Sequence, residues 1–230
     1  MIKAIIFDLD HTLFDRYATL TEIAKSIRND LPINPNLSDE KISEIMIKAD
    51  KTCIYYGWEK VNNYITNQTE LFAKKIPENA YSDYILGKFM NIAVPFPFAK
   101  PMLEALKQKG YKIGLITNGK PGLQEKKLEM LGLDSIFDRV IVSGQYNCPK
   151  PQLTAFNMMA EWLGLKSCEM MYVVDHPINV VDASRKAGYV PVYVNTAGYW
   201  PRTDVEKCEL QVETVAEIPE LVRRYNQNTK

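Results

Sequence analysis

Apolar residues run without interruption through Ile5-Ile6-Phe7 and pass at once into Asp8-Leu9-Asp10. A run this short is too brief for a helix but suits a strand buried on both faces. Similar apolar runs recur at residues 111–116, 139–143, 171–174 and 191–194, each predicting a strand. Segments with helical spacing lie between them. Residues 102–109 are stopped by Gly110, 124–131 by Gly132 and 153–163 by Gly164; 183–187 end a helix at Gly188, and a last helix falls within 212–225. Strands alternating with helices in this way predict a parallel sheet covered on both faces and joined by right-handed crossovers.

Residues 17–92 break that alternation and read as helical throughout. Leu20, Ile23, Ala24 and Ile27 share one face of a helix over 17–30, which Leu31-Pro32 and Pro35 end. Ser38 is a candidate cap for a second helix carrying Ile42, Ile45, Met46, Ala49 and Cys53 on one side. Two more helices are expected over 58–76, closed by Pro77, and over 81–92. Together these make a small bundle, in whose core most of Tyr55, Tyr56, Trp58, Tyr64 and Phe72 are expected to pack. Asp15-Arg16 and Pro95-Phe96-Pro97-Phe98 are the tethers. The predicted organisation is therefore an α/β core domain, 1–15 with 97–230, and a helical domain inserted at 16–96.

Composition narrows the function classes. With 28 Lys+Arg against 28 Asp+Glu the chain is balanced, which removes any electrostatic argument for a nucleic-acid or membrane partner. Cys53, Cys148, Cys168 and Cys208 lack CxxC spacing and only two histidines accompany them, so neither a structural zinc site nor a disulfide framework is expected. Met1-Ile2-Lys3 leads directly into the first strand with no signal-peptide pattern, and no stretch approaches the ~18 apolar residues of a membrane span. The expected location is the cytoplasm.

Candidate chemistry sits where strands end, the edge at which open α/β sheets bind ligands. Asp8 and Asp10 follow the first strand. Either alone could cap a turn, but two carboxylates this close repel unless a cation or proton lies between them, and a divalent metal answers that need. Thr117 and Asn118 follow Gly114-Leu115-Ile116, where a hydroxyl and backbone N–H groups could meet phosphate oxygens, or the stretch could be a plain Asn-Gly turn. Lys150 lies between Pro149 and Pro151 and could neutralise developing charge or be a solvated loop lysine. Asp175 ends the strand over 171–174, placed to reach a metal or to cap the helix after Pro177.

In order, Asp8-Leu9-Asp10-His11-Thr12, Leu115-Ile116-Thr117-Asn118-Gly119, Lys150-Pro151 and Val174-Asp175-His176-Pro177 resemble the four motifs of the haloacid dehalogenase-like hydrolases. The resemblance spans the whole core and implies a Rossmann-like, doubly wound parallel sheet with the helical bundle as a cap that closes over the site. It implies that Asp8 is the nucleophile and Asp10 the acid/base, and that Thr117, Asn118 and Lys150 hold the phosphoryl oxygens. Mg²⁺ would be bound by Asp8, the Asp10 carbonyl and Asp175. The implied activity is phosphatase action on a small phosphorylated metabolite. One position departs from the pattern: relatives carry a second acid five residues after the first acid of the fourth motif, and here Val180 stands there, with Asp182 two residues on. That departure keeps open a phosphate-binding or regulatory protein with impaired turnover. A 2-haloacid dehalogenase is the other alternative, and Asp10 counts against it.

Overall fold

The computed structural model describes every residue except Glu78, Ala197, Tyr199 and Lys230, together with the side chain of Tyr55. In chain order the main elements begin with β1 (Ala4–Phe7), α1 (Arg16–Ala24), α2 (Asp39–Cys53), α3 (Trp58–Thr66) and α4 (Ala80–Phe89). They continue with α5 (Ala99–Gln108), β2 (Lys112–Thr117), α6 (Leu123–Met130), β3 (Arg139–Val142), α7 (Ser143–Tyr146) and α8 (Thr154–Leu163). The chain closes with β4 (Met170–Val174), α9 (Asn179–Lys186), β5 (Val190–Val194), α10 (Arg202–Val205), β6 (Gln211–Val212) and α11 (Ile218–Asn228). Two compact units result: Met1–Asp15 with Pro95–Lys230, and Arg16–Val94.

The first unit is built on one six-stranded sheet in the order β3-β2-β1-β4-β5-β6, every pair parallel. The doubly wound α/β architecture expected from the strand-helix alternation is the one observed. Phe7 pairs with Leu115 on one side and Val173 on the other, so the ends of β1, β2 and β4 lie abreast. The strand order reverses at β1, which makes this edge the place where such sheets open a crevice. Every residue of β1 and β4 is buried, as apolar runs without alternation require. Ile6, Phe156, Met159, Tyr172 and Val174 lie in one apolar cluster, with Phe156 and Tyr172 edge to face at 5.0 Å. After Phe14 the chain leaves this unit and it returns at Pro95, the two crossings joined by an antiparallel bridge.

Three features of this unit lay outside the periodicity. β6 is a two-residue edge strand, too short to show a pattern of two. Its pairing with β5 delays the last helix to Ile218, because Glu217 Oε1 accepts the backbone N–H groups of Glu213 (3.0 Å) and Thr214 (2.9 Å). α7 and α10, four residues each, are too brief to register.

Within Arg16–Val94 the helices lie in the predicted order, but two expectations fail. α3 ends at Thr66 rather than 76. The Asn67 side chain donates to Asn63 O (2.8 Å) and that of Gln68 to Tyr64 O (3.1 Å), taking up last-turn carbonyls. The chain then runs beside Ile33, with Asn34 N donating to Leu71 O and Ala73 N to Pro32 O, both at 2.9 Å. The aromatic set is also different. Tyr56 is 78% exposed, Trp58, Tyr64 and Phe72 are half-buried, and the Tyr55 side chain lies outside the described residues. Tyr81 and Phe89 fill the core instead, on the buried face of α4. Arg16 is buried here too, its guanidinium holding both oxygens of buried Asp50 at 2.8–3.0 Å and lying over the rings of Trp58 (4.9 Å) and Phe89 (5.1 Å).

No described helix is long and apolar enough to cross a membrane.

Candidate active site

β1 ends at Phe7, and the Asp8 N–H still bonds to Val173 O (3.0 Å), which holds Asp8 against the end of β4. A tight turn follows in which Thr12, Leu13 and Phe14 N–H groups all converge on Leu9 O. His11 takes φ 58°, a left-handed conformation in which His is among the enriched residues. Its carbonyl accepts the Thr196 hydroxyl, and its N–H bonds to Phe14 O (2.9 Å). The turn aims Asp8 and Asp10 out of the sheet edge.

Lys150 is the cation paired with Asp8. Its Nζ lies 2.6 Å from Asp8 Oδ1, with Lys150 only 8% exposed, and donates also to Tyr172 Oη (2.9 Å) and Ile116 O (3.0 Å). Burial holds the Asp8 carboxyl above its ordinary pKa; the Lys150 ammonium offsets part of that rise, and the charge of neighbouring Asp10 adds to it. Lys150 is thus the group that favours an ionised Asp8. Its placement is not that of a solvated loop lysine, because the Asn118 side chain grips its backbone from both sides. Lys150 N–H donates to Asn118 Oδ1 (2.8 Å), and Asn118 Nδ2 donates to Lys150 O (3.0 Å). The amide of Asn118 is therefore occupied in positioning Lys150, and its backbone N–H is what it offers an anion. The Thr117 hydroxyl is buried at the end of β2 and accepts from Gln124 Nε2 at 2.6 Å.

Asp175, 3% exposed, follows β4, and its charge and that of Asp8 both act on the Tyr172 hydroxyl, whose pKa burial already raises well above normal. His176 beside it packs against Trp200 with the rings tilted 43° and 4.5 Å between centroids, and burial, with the Lys150 charge, pushes it down to about 4, so it is neutral at pH 7. Asp182 is exposed and paired to Arg185 (2.7 Å), so it takes no part here. Val180 is buried in the apolar cluster under the sheet, and contributes no donor.

The residues expected from the sequence to hold a cation, Asp8, Asp10 and Asp175, follow the adjacent strands β1 and β4. Among the described residues no three His, Cys, Asp or Glu side chains form a cage. Such a set suits Mg²⁺, which keeps several waters and takes one or two carboxylates, better than it suits zinc.

No role at this edge was read from the sequence for Tyr172, Gln124 or Lys127, the last two falling in a stretch, 124–137, that resembles the haloacid dehalogenase-like hydrolases. Tyr172 hid inside an apolar strand. Gln124 and Lys127, on α6, are both buried and both reach Asp10: Gln124 Nε2 lies 3.0 Å from Oδ2 and Lys127 Nζ 2.8 Å from Oδ1. Their spacing of three on a helix that follows a candidate strand end was the available signal.

Residues 5–194 match the family described as haloacid dehalogenase-like hydrolase. A glyceraldehyde 3-phosphate phosphatase of Methanocaldococcus jannaschii is 28% identical over 97% of this chain and 98% of its own length. Among solved structures, a predicted phosphoglycolate phosphatase from Haemophilus somnus superposes with TM-score 0.72 at 23% identity, covering 96% of this chain and 98% of its own. The L-2-haloacid dehalogenase of Xanthobacter autotrophicus superposes with TM-score 0.69 at 19% identity, over 97% of this chain and 99% of its own. At those identities the two structures speak for the fold. With the family match extending from β1 to the end of β5, this chain belongs to the haloacid dehalogenase-like hydrolases.

Proposed function

We propose that this protein is a phosphoric monoester hydrolase that acts on a small phosphorylated metabolite through an aspartyl-phosphate on Asp8. The observation that carries this reading is the 2.6 Å pairing of Asp8 with buried Lys150 at the sheet edge, beside a second acid, Asp10. A carboxylate is a usable nucleophile only when ionised, and Lys150 favours that form in a buried setting.

In the first step an Asp8 oxygen bonds to phosphorus as the P–O ester bond breaks. The electron pair goes to the leaving oxygen and Asp10 supplies its proton. In the second, water attacks the same phosphorus, Asp10 takes the water's proton, and the bond to Asp8 breaks to release inorganic phosphate. The Thr117 hydroxyl, the Asn118 N–H and Lys150 hold the phosphoryl oxygens throughout. Mg²⁺, held by Asp8, the Asp10 carbonyl and Asp175, would offset the negative charge gathered at the phosphoryl group. The 28% identical relative named for glyceraldehyde 3-phosphate makes that triose phosphate the first metabolite to test.

The test compares purified wild type and Asp8→Asn with Mg²⁺ on p-nitrophenyl phosphate and a panel of sugar and triose phosphates. Phosphate release by wild type, lost in Asp8→Asn, is the expected outcome. Equal rates in the two proteins would sink the proposal. Halide release from chloroacetate without metal would point to dehalogenation instead, and phosphate binding without turnover to a regulatory protein.

A further inference from the structure

Both oxygens of the Asp10 carboxylate are taken by one face of α6. Lys127 Nζ holds Oδ1 at 2.8 Å and Gln124 Nε2 holds Oδ2 at 3.0 Å, the two donors being 2% and 1% exposed. The Lys127 ammonium also lies 4.9 Å over the Phe14 ring, which confines it from the side of the turn. Gln124 Nε2 reaches further, to Thr117 Oγ1 (2.6 Å) and Asn118 O (3.1 Å). A carboxylate and a carbonyl can only accept, so the amide nitrogen of Gln124 must face them. The two hydrogens of Nε2 are shared among the three acceptors, and because that nitrogen cannot itself accept, the Thr117 proton points elsewhere; it has only a long 3.5 Å contact with Asn118 O and is available to a phosphoryl oxygen. The backbone makes room for this arrangement at Gly119: a Cβ there would stand 2.6 Å from Gln124 Cγ and 2.8 Å from Cδ.

We infer that Gln124 and Lys127 are positioning residues that clamp Asp10 toward the leaving-group oxygen, with Gln124 also orienting the Thr117 hydroxyl. The inference rests on the phosphatase reading above. Asp10 matters most when the departing group cannot leave without a proton. An alkoxide needs that proton, and p-nitrophenolate does not. A loosened Asp10 therefore slows phosphoryl transfer from alkyl esters selectively; hydrolysis of the aspartyl-phosphate, which also uses Asp10, is common to both esters and does not enter kcat/KM.

The experiment measures kcat and KM on p-nitrophenyl phosphate and on the best alkyl phosphate for wild type, Gln124→Met, Lys127→Met and Lys127→Arg. For the two Met variants, kcat/KM on the alkyl ester is expected to fall about 10- to 100-fold further than kcat/KM on p-nitrophenyl phosphate. On p-nitrophenyl phosphate kcat/KM should fall by under about threefold in Lys127→Met, while Gln124→Met adds a loss shared by both esters through Thr117. Lys127→Arg, which keeps a cation and donors, should recover most of the alkyl-ester rate. Should Lys127→Met not fold, Gln124→Met carries the test, since it strands no charge. Equal losses on both esters, or none on either, would overturn the clamp while leaving the phosphatase reading intact. Wild type that cleaves neither ester overturns both.

Discussion

Replacing Lys150 with methionine keeps most of the buried aliphatic stem and deletes the charge. Lys150 Nζ makes three contacts, to Asp8, Tyr172 Oη and Ile116 O. The Tyr172 hydroxyl keeps its own 3.2 Å bond to Ile116 O, so the neutral part of the loss is about 1 kcal/mol. The charged part is larger. Asp8, whose side chain is 13% exposed, would be left without its nearest cation, and breaking a buried ion pair from one side costs about 3–5 kcal/mol. In an Asp8→Asn background no charge is stranded, and Lys150→Met should cost only the neutral part, about 1 kcal/mol. The double-mutant cycle therefore predicts a coupling energy of about 3 kcal/mol between the two positions. Urea unfolding of the four proteins at pH 7 in EDTA, followed by far-ultraviolet circular dichroism, measures it. Equal losses in the two backgrounds would refute the claim that Lys150 compensates Asp8.

Asp50→Ala should destabilise by about 3–5 kcal/mol by leaving the Arg16 guanidinium buried, while the Arg16→Met/Asp50→Leu pair should recover most of that in thermal melts. Because the folded pKa of His176, about 4, lies below its unfolded value of 6.5, acidification charges the unfolded chain first. Stability is therefore expected to fall between pH 6.5 and 4 by up to about 3 kcal/mol, and His176→Phe should flatten that slope in urea titrations across the range. Val180→Asp places a carboxylate among the apolar residues around Val174 and Val181 and should lower stability by about 2–4 kcal/mol in EDTA; an unchanged urea midpoint would show that the site is wetter than its burial indicates.

The sequence alone determined the sheet and the edge that carries the chemistry. Unbroken apolar runs such as Ile5-Ile6-Phe7 can only be buried on both faces, alternation with helices makes the strands parallel, and parallel strands end on the same side. Asp8, Thr117 and Asp175 each follow such a run, so their gathering at one edge was legible residue by residue. Lys150 was legible as a cation between prolines, but its partner was not. The 2.6 Å contact with Asp8 joins residues on opposite sides of the inserted helical unit in sequence and depends on Asn118 gripping the Lys150 backbone. Gln124 and Lys127 read as ordinary polar positions of an amphipathic helix; only the packing of α6 against the sheet edge turns that polar face inward onto Asp10. The premature end of α3 and the two-residue β6 belong to the same category. β6 is fixed by its pairing with β5 and the stretch after α3 by bonds to Pro32 and Asn34, partners that local periodicity does not contain; the Asn67 and Gln68 side-chain bonds that end α3 are local but have no hydrophobic period.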